Sequence, residues 1–145
     1  MSGSSFLDTN VLIYAIETGG SHPEKSALAL ALVRRQDVCL STQVLGEFYR
    51  AATSARRASP LSHVEAVSWV QLWKRHEVHA ITPPHVDLAL EIAGRFRIGY
   101  YDALILAAAR LARCAVVWSE DLSPGQAYGG VRVENPFLPR ARQRV

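Results

Sequence analysis

Residues 102–121, DALILAAARLARCAVVWSED, decide how this chain folds. The first part, Asp102 to Ala112, has apolar residues on nearly every side of a helix, so we predict a helix without a broad solvated face. The run Ala115 to Trp118 follows, and its uninterrupted apolar character predicts a buried strand. A helix that is apolar nearly all round must be central to the fold.

The same alternation of strand and helix recurs along the rest of the chain. The predicted strands are Phe6 to Leu7, Val38 to Leu40, Val78 to Ile81, Ala115 to Trp118 and, after a Gly125 to Gly130 turn, Val131 to Val133. The predicted helices are Thr9 to Glu17, Glu24 to Arg35, Thr42 to about Arg57, Ser62 to about Arg75, Pro83 to Phe96 and Asp102 to Ala112. This order predicts an α/β fold, a three-layer sandwich with a mostly parallel central sheet flanked by helices.

Composition sets the broad class of protein. The chain has 145 residues, of which 49% are hydrophobic, and this predicts a single domain spanning 1–145 with a real core. A basic tail from about residue 138 is a candidate for disorder. The net charge of +3 mildly favours partners that carry phosphate. Two cysteines in apolar surroundings and the lack of a signal peptide or membrane span predict a soluble cytoplasmic protein with reduced thiols.

Four acidic residues stand out by their positions. Asp8 and Asp121 follow predicted strands, and ligands of parallel sheets bind outside the carboxyl ends of the strands. Glu47 borders the apolar stripe of its helix, and Asp102 heads the central helix. Four carboxylates brought together would form an oxygen-rich site for Mg²⁺ or Mn²⁺, ions that assist phosphate-ester hydrolysis.

Each acid also has an ordinary structural explanation. Asp8 and Asp102 could be helix N-caps, a position that aspartate favours. Asp121 could form an Asx turn. Glu47 could be neutralised by a salt bridge, because a carboxylate at the border of an apolar face needs a partner. The positions alone leave these explanations open beside the metal site.

Four stretches resemble the acidic motifs of PIN-domain ribonucleases, in the same order along the chain. They are Phe6-Leu7-Asp8-Thr9-Asn10-Val11-Leu12, Val44-Leu45-Gly46-Glu47-Phe48-Tyr49, Tyr101-Asp102-Ala103-Leu104-Ile105 and Ser119-Glu120-Asp121-Leu122. The resemblance extends over nearly the whole chain. Within that family the chain is most similar to the VapC-type toxins of type II toxin–antitoxin systems.

The resemblance implies roles for particular residues. Asp8, Glu47, Asp102 and Asp121 would be the catalytic, metal-binding acids, and Thr9, Asn10 and Ser119 would be polar neighbours that position them or a water. The last acidic position varies in the family, so Glu120 is a nearby substitute for Asp121.

The resemblance also implies an activity and partners. The chain would be a Mg²⁺- or Mn²⁺-dependent endoribonuclease that acts on RNA, forms a homodimer and is silenced by a small antitoxin protein. Leu28, Leu32 and Tyr49 are candidate antitoxin contacts, and each could equally be a core residue. Several arginines, Arg57 among them, could contact RNA phosphates.

Two rival functions share part of this pattern. A phosphatase of the haloacid-dehalogenase type requires a second aspartate two residues after the first, and this chain has Asn10 there. A non-catalytic RNA-binding or scaffold protein on the same fold is the alternative outside enzymology, and the intact set of four acids argues against it. His76 and His79 lack the spacing of a zinc-protease helix, so the sequence does not predict a zinc site there.

Overall fold

The computed structural model describes residues 4–139, in which strands and helices alternate as predicted. The strands are β1 (Ser5–Leu7), β2 (Val38–Ser41), β3 (Glu77–His79), β4 (Val116–Trp118), β5 (Ala127–Tyr128) and β6 (Val131–Glu134). The helices are α1 (Thr9–Ile16), α2 (Pro23–Val33), α3 (Thr42–Ala52), α4 (His63–Trp73), α5 (Pro83–Phe96) and α6 (Tyr100–Leu111).

The strands form one sheet in the order β3-β2-β1-β4-β6-β5. Every neighbouring pair is parallel except β5 and β6, which are antiparallel. The predicted α/β class with a mostly parallel sheet flanked by helices is therefore confirmed. The chain runs from β1 outward to β2 and β3 and then returns to the other side of β1 as β4. The carboxyl ends of β1 and β4 consequently form the switch point at which open α/β sheets bind ligands.

Helix α6 lies at the centre of the protein, as predicted from its composition. Every residue from Ala103 to Ala109 is buried. The helix contacts β2, β4 and β6 on one side, and α5 packs against it. Burying each of Leu104, Ile105 and Leu106 contributes roughly 1.5–3 kcal/mol to the stability of the fold.

Helix α3 is shorter than predicted and ends at Ala52 instead of about Arg57. Thr53 is the C-cap of α3, and both its backbone N–H and its hydroxyl donate to the carbonyl of Tyr49. The Ala52 carbonyl then accepts hydrogen bonds from the Arg57 side chain at 3.0 Å and from the Leu61 backbone N–H at 2.9 Å. These bonds satisfy a helix-terminal carbonyl that would otherwise need another turn of helix.

Other predictions had mixed outcomes. The segment predicted as a turn, Gly125 to Gly130, contains the short strand β5, which pairs with β6. Cys39 and Cys114 are buried and free, which confirms the prediction of core thiols. Residues 140–145 of the predicted basic tail lie outside the described residues. None of the helices between residues 4 and 139 has the length and apolar character needed to cross a membrane.

Candidate active site

The sheet topology places two of the four acids together. Asp8 directly follows β1, and the segment Ser119 to Asp121 directly follows β4. The two strand ends are joined by a hydrogen bond of 3.0 Å from the backbone N–H of Asp8 to the carbonyl of Trp118. Residues far apart in sequence therefore meet at the switch point of the sheet.

Asp8 is the buried member of the group, with only 5% of its surface exposed. One carboxylate oxygen accepts from the backbone N–H of Thr9 at 2.7 Å, and the other accepts from the hydroxyl of Ser119 at 2.7 Å. Burial raises the pKa of Asp8 to about 6; these hydrogen bonds oppose the rise, and the charges of Glu47 and Asp121 add to it. Asp8 is the N-cap of α1, as the ordinary explanation predicted, and it also lies beside other carboxylates.

Both oxygens of Glu47 are held by neighbouring side chains. The hydroxyl of Thr9 donates to one oxygen at 2.7 Å, and the amide of Gln43 donates to the other at 3.0 Å. The same Gln43 nitrogen lies 3.1 Å from the carbonyl of Tyr101, so it connects α3 to the first turn of α6. None of the ion pairs among residues 4–139 involves Glu47, so the salt-bridge explanation is wrong for the described part of the chain.

Sequence reasoning missed Gln43. A signal was present, because residues four apart lie one turn above each other on a helix and Gln43 precedes Glu47 by that interval. The contact with the Tyr101 carbonyl could not have been found in this way, since it joins residues 58 apart.

Asp102 is the third residue of α6 and lies beyond its N-cap, Gly99. The N-cap explanation is therefore wrong for Asp102. Partial desolvation raises the pKa of this carboxyl above its usual value, and the charges of Asp121 and Glu47 raise it further. The charges of Glu47 and Asp121 thus act on both Asp8 and Asp102, so the four carboxylates lie near enough to influence one another.

Asp121 is exposed and is positioned by Asn10. The amide nitrogen of Asn10 donates to the Asp121 carboxylate at 3.1 Å, while its oxygen accepts from the backbone N–H of Glu120 at 3.2 Å. The hydroxyl of Ser119 accepts from the backbone N–H of Asp121 at 3.1 Å. The carboxylate is thus bound to α1, and the bonds of the described residues give no support to an Asx turn.

Glu120 points toward a different part of the protein. One carboxylate oxygen accepts from the hydroxyl of Tyr14 at 2.8 Å, and the other forms an ion pair with Lys25. Both oxygens are engaged by α1 and α2, so this arrangement does not favour Glu120 as a substitute for Asp121.

The four acids, hereafter the acidic site, are spaced more widely than a preformed cage. No three of them have ligand atoms that all lie within 4.8 Å of one another, among the residues that the structure describes. Like charges at close range repel, so spread carboxylates are the expected arrangement. Such spacing suits Mg²⁺, which keeps several of its waters when one or two carboxylates bind it.

A cleft of about 800 Å³ leads away from the acidic site along α1. Thr9, Asn10 and Asp121 line one end of it, and Arg57 lines the other. The Arg57 guanidinium is already engaged, since it pairs with Glu17 at 3.2 Å and donates to the Ala52 carbonyl. A structural role therefore accounts for Arg57, which the sequence offered as a phosphate contact.

The three candidate antitoxin contacts differ in exposure. Leu28 is 46% exposed, whereas Leu32 is buried and Tyr49 is half-buried with its hydroxyl 2.9 Å from Nδ1 of His63. Leu28 and Leu32 line an apolar groove of about 510 Å³, together with Trp118 and Pro136. Leu28 is thus the most accessible of the three.

The chain is similar to known proteins both in sequence family and in fold. The sequence model of the PIN domain family matches residues 5–127. A toxin–antitoxin complex from Klebsiella pneumoniae has a similar fold, with a TM-score of 0.68 and 17% identity over 92% of this chain and 98% of that chain. The sarcin-ricin loop cleaving toxin VapC20 of Mycobacterium tuberculosis also has a similar fold. Its TM-score is 0.67, with 22% identity over 89% of this chain and 99% of that chain. No curated protein sequence matches the chain.

Proposed function

Because this chain belongs to the PIN domain family, we propose that it is a metal-dependent endoribonuclease and the toxin of a toxin–antitoxin pair. One observation carries the proposal. Hydrogen bonds link the four segments that carry the acidic site to one another. They support a shared carboxylate site at the carboxyl ends of β1 and β4, with the charges of Glu47 and Asp121 acting on both Asp8 and Asp102. Hydrolysis forms a bond from a water oxygen to phosphorus and breaks the bond from phosphorus to a ribose oxygen, which leaves with a proton.

The donor set of the acidic site fits Mg²⁺ or Mn²⁺. All four side chains offer carboxylate oxygens, the ligands that these ions prefer. Such an ion, when bound, would make a water nucleophilic and neutralise the charge that develops on phosphorus and on the leaving oxygen. Burial is the main cause of the raised pKa values of Asp8 and Asp102, and the charges of Glu47 and Asp121 add to it. The part due to these charges supports the assignment, because a bound cation would relieve their repulsion.

Neighbouring side chains would hold the ligands in position. Thr9 and Gln43 fix the two oxygens of Glu47, and Ser119 fixes one oxygen of Asp8. Asn10 holds Asp121 at the mouth of the site. Such partners orient the ligands of a metal before it binds, and their loss typically weakens metal affinity by about 10- to 100-fold.

The family, the cleft beside α1 and the apolar groove together support particular partners. RNA would lie in the cleft beside α1, with its scissile phosphate at the acidic site. A small antitoxin would cover the site, and the apolar groove that contains Leu28 would receive part of it. Solved toxin–antitoxin complexes with this fold support such a pairing. We further propose that the chain forms a homodimer and acts in the cytoplasm.

The decisive experiment is cleavage of a total RNA pool in Mg²⁺ or Mn²⁺, with the fragment ends mapped by sequencing. The wild type is compared with Asp102→Asn, which is purified in parallel and controls for a contaminating nuclease. Asp102 is exposed on the first turn of α6, so its replacement by the isosteric amide should leave the fold intact.

We expect defined ends that appear only with the wild type and disappear when a chelator is added. Identical patterns from both proteins would overturn the catalytic proposal. In that case a non-catalytic RNA-binding or scaffold role on the same fold would be the better account.

A further inference from the structure

A second group of possible metal ligands lies at the edge of the sheet. Cys39 on β2 is in register with Glu77 on β3, and His79 is two residues further along β3. The thiol of Cys39 donates to one oxygen of Glu77 at 3.4 Å, and Nε2 of His79 lies 2.6 Å from the same oxygen. These three residues, hereafter the edge cluster, have ligand atoms that all lie within 4.8 Å of one another.

The distances agree with the geometry of a tetrahedral zinc ion. With bonds of about 2.3 Å to sulfur and about 2.1 Å to oxygen or nitrogen, neighbouring ligand atoms are about 3.4 to 3.6 Å apart. The sulfur–oxygen distance of 3.4 Å already matches this range. The shorter contact between Glu77 and His79 has room to open, because the Glu77 side chain is 64% exposed.

We propose that the edge cluster is a zinc site with Cys39, Glu77 and His79 as its three protein ligands. Thiolate, imidazole and carboxylate together select a borderline-soft ion such as Zn²⁺ over Mg²⁺. The charges balance, since one thiolate and one carboxylate neutralise the ion while the histidine stays neutral. The ion replaces the thiol proton, which is released to solvent when the sulfur coordinates. The fourth position is left for water.

A zinc ion at the edge cluster would affect the stability of the sheet. β3 is the outermost strand and consists of three residues, which is short for an independent strand. Ligands on both β2 and β3 would cross-link the pair. β2 continues directly into α3, which carries Gln43 and Glu47, so a zinc ion here would also stabilise the base of that helix.

Cobalt titration tests the site directly. The full chain is freed of metal with a chelator, kept reduced with a phosphine and titrated with Co²⁺, with absorption recorded through the visible and near ultraviolet. We expect a sulfur-to-cobalt charge-transfer band that saturates at one ion per chain and is displaced by Zn²⁺. We also expect Zn²⁺ to raise the Tm, because it binds only the folded state. Carboxylates alone cannot produce the sulfur band, so binding at the acidic site does not imitate the result.

Matched variants decide whether the edge cluster is responsible. Cys39→Ser and His79→Gln should each abolish the band or weaken cobalt binding at least 10-fold. The His79→Gln variant lies on the exposed edge strand, and circular dichroism verifies that it folds. Cys114→Ser is the cysteine control, because this second thiol lies beside Cys39 but outside the edge cluster. Asp102→Asn is the control for the acidic site, and both controls should keep the band.

The proposal is overturned if no sulfur-to-cobalt band forms, if the band survives in Cys39→Ser, or if Cys114→Ser removes it as well. It does not depend on the ribonuclease proposal, since RNA cleavage and the cobalt band are measured separately.

Discussion

The acidic site and the edge cluster use the same sheet in different ways. The acidic site takes carboxylates from four segments, two of which follow the adjacent strands β1 and β4. The edge cluster takes a thiol, a carboxylate and an imidazole from two adjacent strands at the margin of the sheet. The first offers only hard oxygen ligands, and the second offers the mixed set that zinc prefers.

The position of each site in the sheet determines how its ligands are held together. Backbone pairing of β2 with β3 brings the ligands of the edge cluster close together without further support. In the acidic site only Asp8 and Asp121 follow paired strands, so the site also depends on Thr9, Asn10, Gln43 and Ser119 for the orientation of its carboxylates. A widely spread site that is held by side chains can accommodate waters and a substrate phosphate, whereas a compact one is suited to hold an ion in place.

The largest effect on RNA cleavage is expected from Asp8→Asn. This change separates the role of Asp8 as an N-cap from its role as a carboxylate of the acidic site. Asparagine is as good an N-cap as aspartate, so α1 should keep its cap while the site loses its buried carboxylate. We expect RNA cleavage to fall by at least about 1,000-fold, since several kcal/mol of charge stabilisation depend on the metal ligands. Cleavage rates at saturating Mn²⁺ measure this loss.

Asp8→Ala is the companion variant. It removes the cap as well and should lower the free energy of unfolding by about 0.5–2 kcal/mol relative to Asp8→Asn. Near-normal cleavage by Asp8→Asn would show that Asp8 is only a cap, and the contrast between the two sites would then collapse.

The next effect is a pH dependence of stability in the metal-free protein. The pKa of Asp8 is about 6 in the fold against an ordinary value of 3.8, so the folded state binds this proton more tightly than the unfolded state does. Stability from this group is therefore complete below about pH 4 and is lost as the pH rises through about 6. The loss is on the order of 3 kcal/mol, and the raised pKa of Asp102 acts in the same direction.

Urea denaturation between pH 3.5 and about 7.5 in the presence of a chelator measures this dependence. The difference curve between the wild type and Asp8→Asn isolates Asp8 together with its coupling to Glu47 and Asp121, because carboxyls elsewhere contribute equally to both. A flat difference curve would contradict the prediction. Mn²⁺ should restore stability at neutral pH in the wild type and should do so far less in the variant.

A smaller effect is expected from Gln43→Ala, which sharpens the claim that side chains hold the acidic site together. Losing the hydrogen bonds to Glu47 and to the Tyr101 carbonyl should weaken Mn²⁺ binding by about 10-fold, and higher Mn²⁺ should rescue cleavage. Calorimetric titration of Mn²⁺ measures the affinity. Gln71→Ala, at an exposed position on α4, is the matched control and should bind Mn²⁺ normally. Equal affinities in the two variants would remove Gln43 from the site.

The smallest effect is expected from Glu120→Gln. Its carboxylate is engaged by Tyr14 and Lys25, and a partly exposed ion pair of this kind contributes only about 0–1 kcal/mol. We expect cleavage within about 3-fold of the wild type and a nearly unchanged Tm. A loss of cleavage as large as that expected for Asp8→Asn would show that Glu120 serves the acidic site after all.

Much of the fold was predictable because its signals are local. The apolar composition of residues 103–109 was sufficient to place α6 at the centre, and the run ending at Trp118 was sufficient to predict β4. Asp8 and Asp121 could be expected near one another, since both follow parallel strands. The strand β5 was not predictable, because two residues within a glycine-rich turn carry no periodicity.

Local pattern thus determined the order of strands and helices and the candidate acids at their ends. Only the tertiary structure decided which groups these acids meet. The end of α3 depends on bonds from Arg57 and Leu61, the orientation of Glu120 depends on Lys25, and Gln43 reaches a carbonyl on α6. The edge cluster joins Cys39 to Glu77 and His79 across a strand pairing. Hydrophobic periodicity arises from neighbours along the chain, whereas hydrogen bonds and ligand geometry depend on distances that only folding sets.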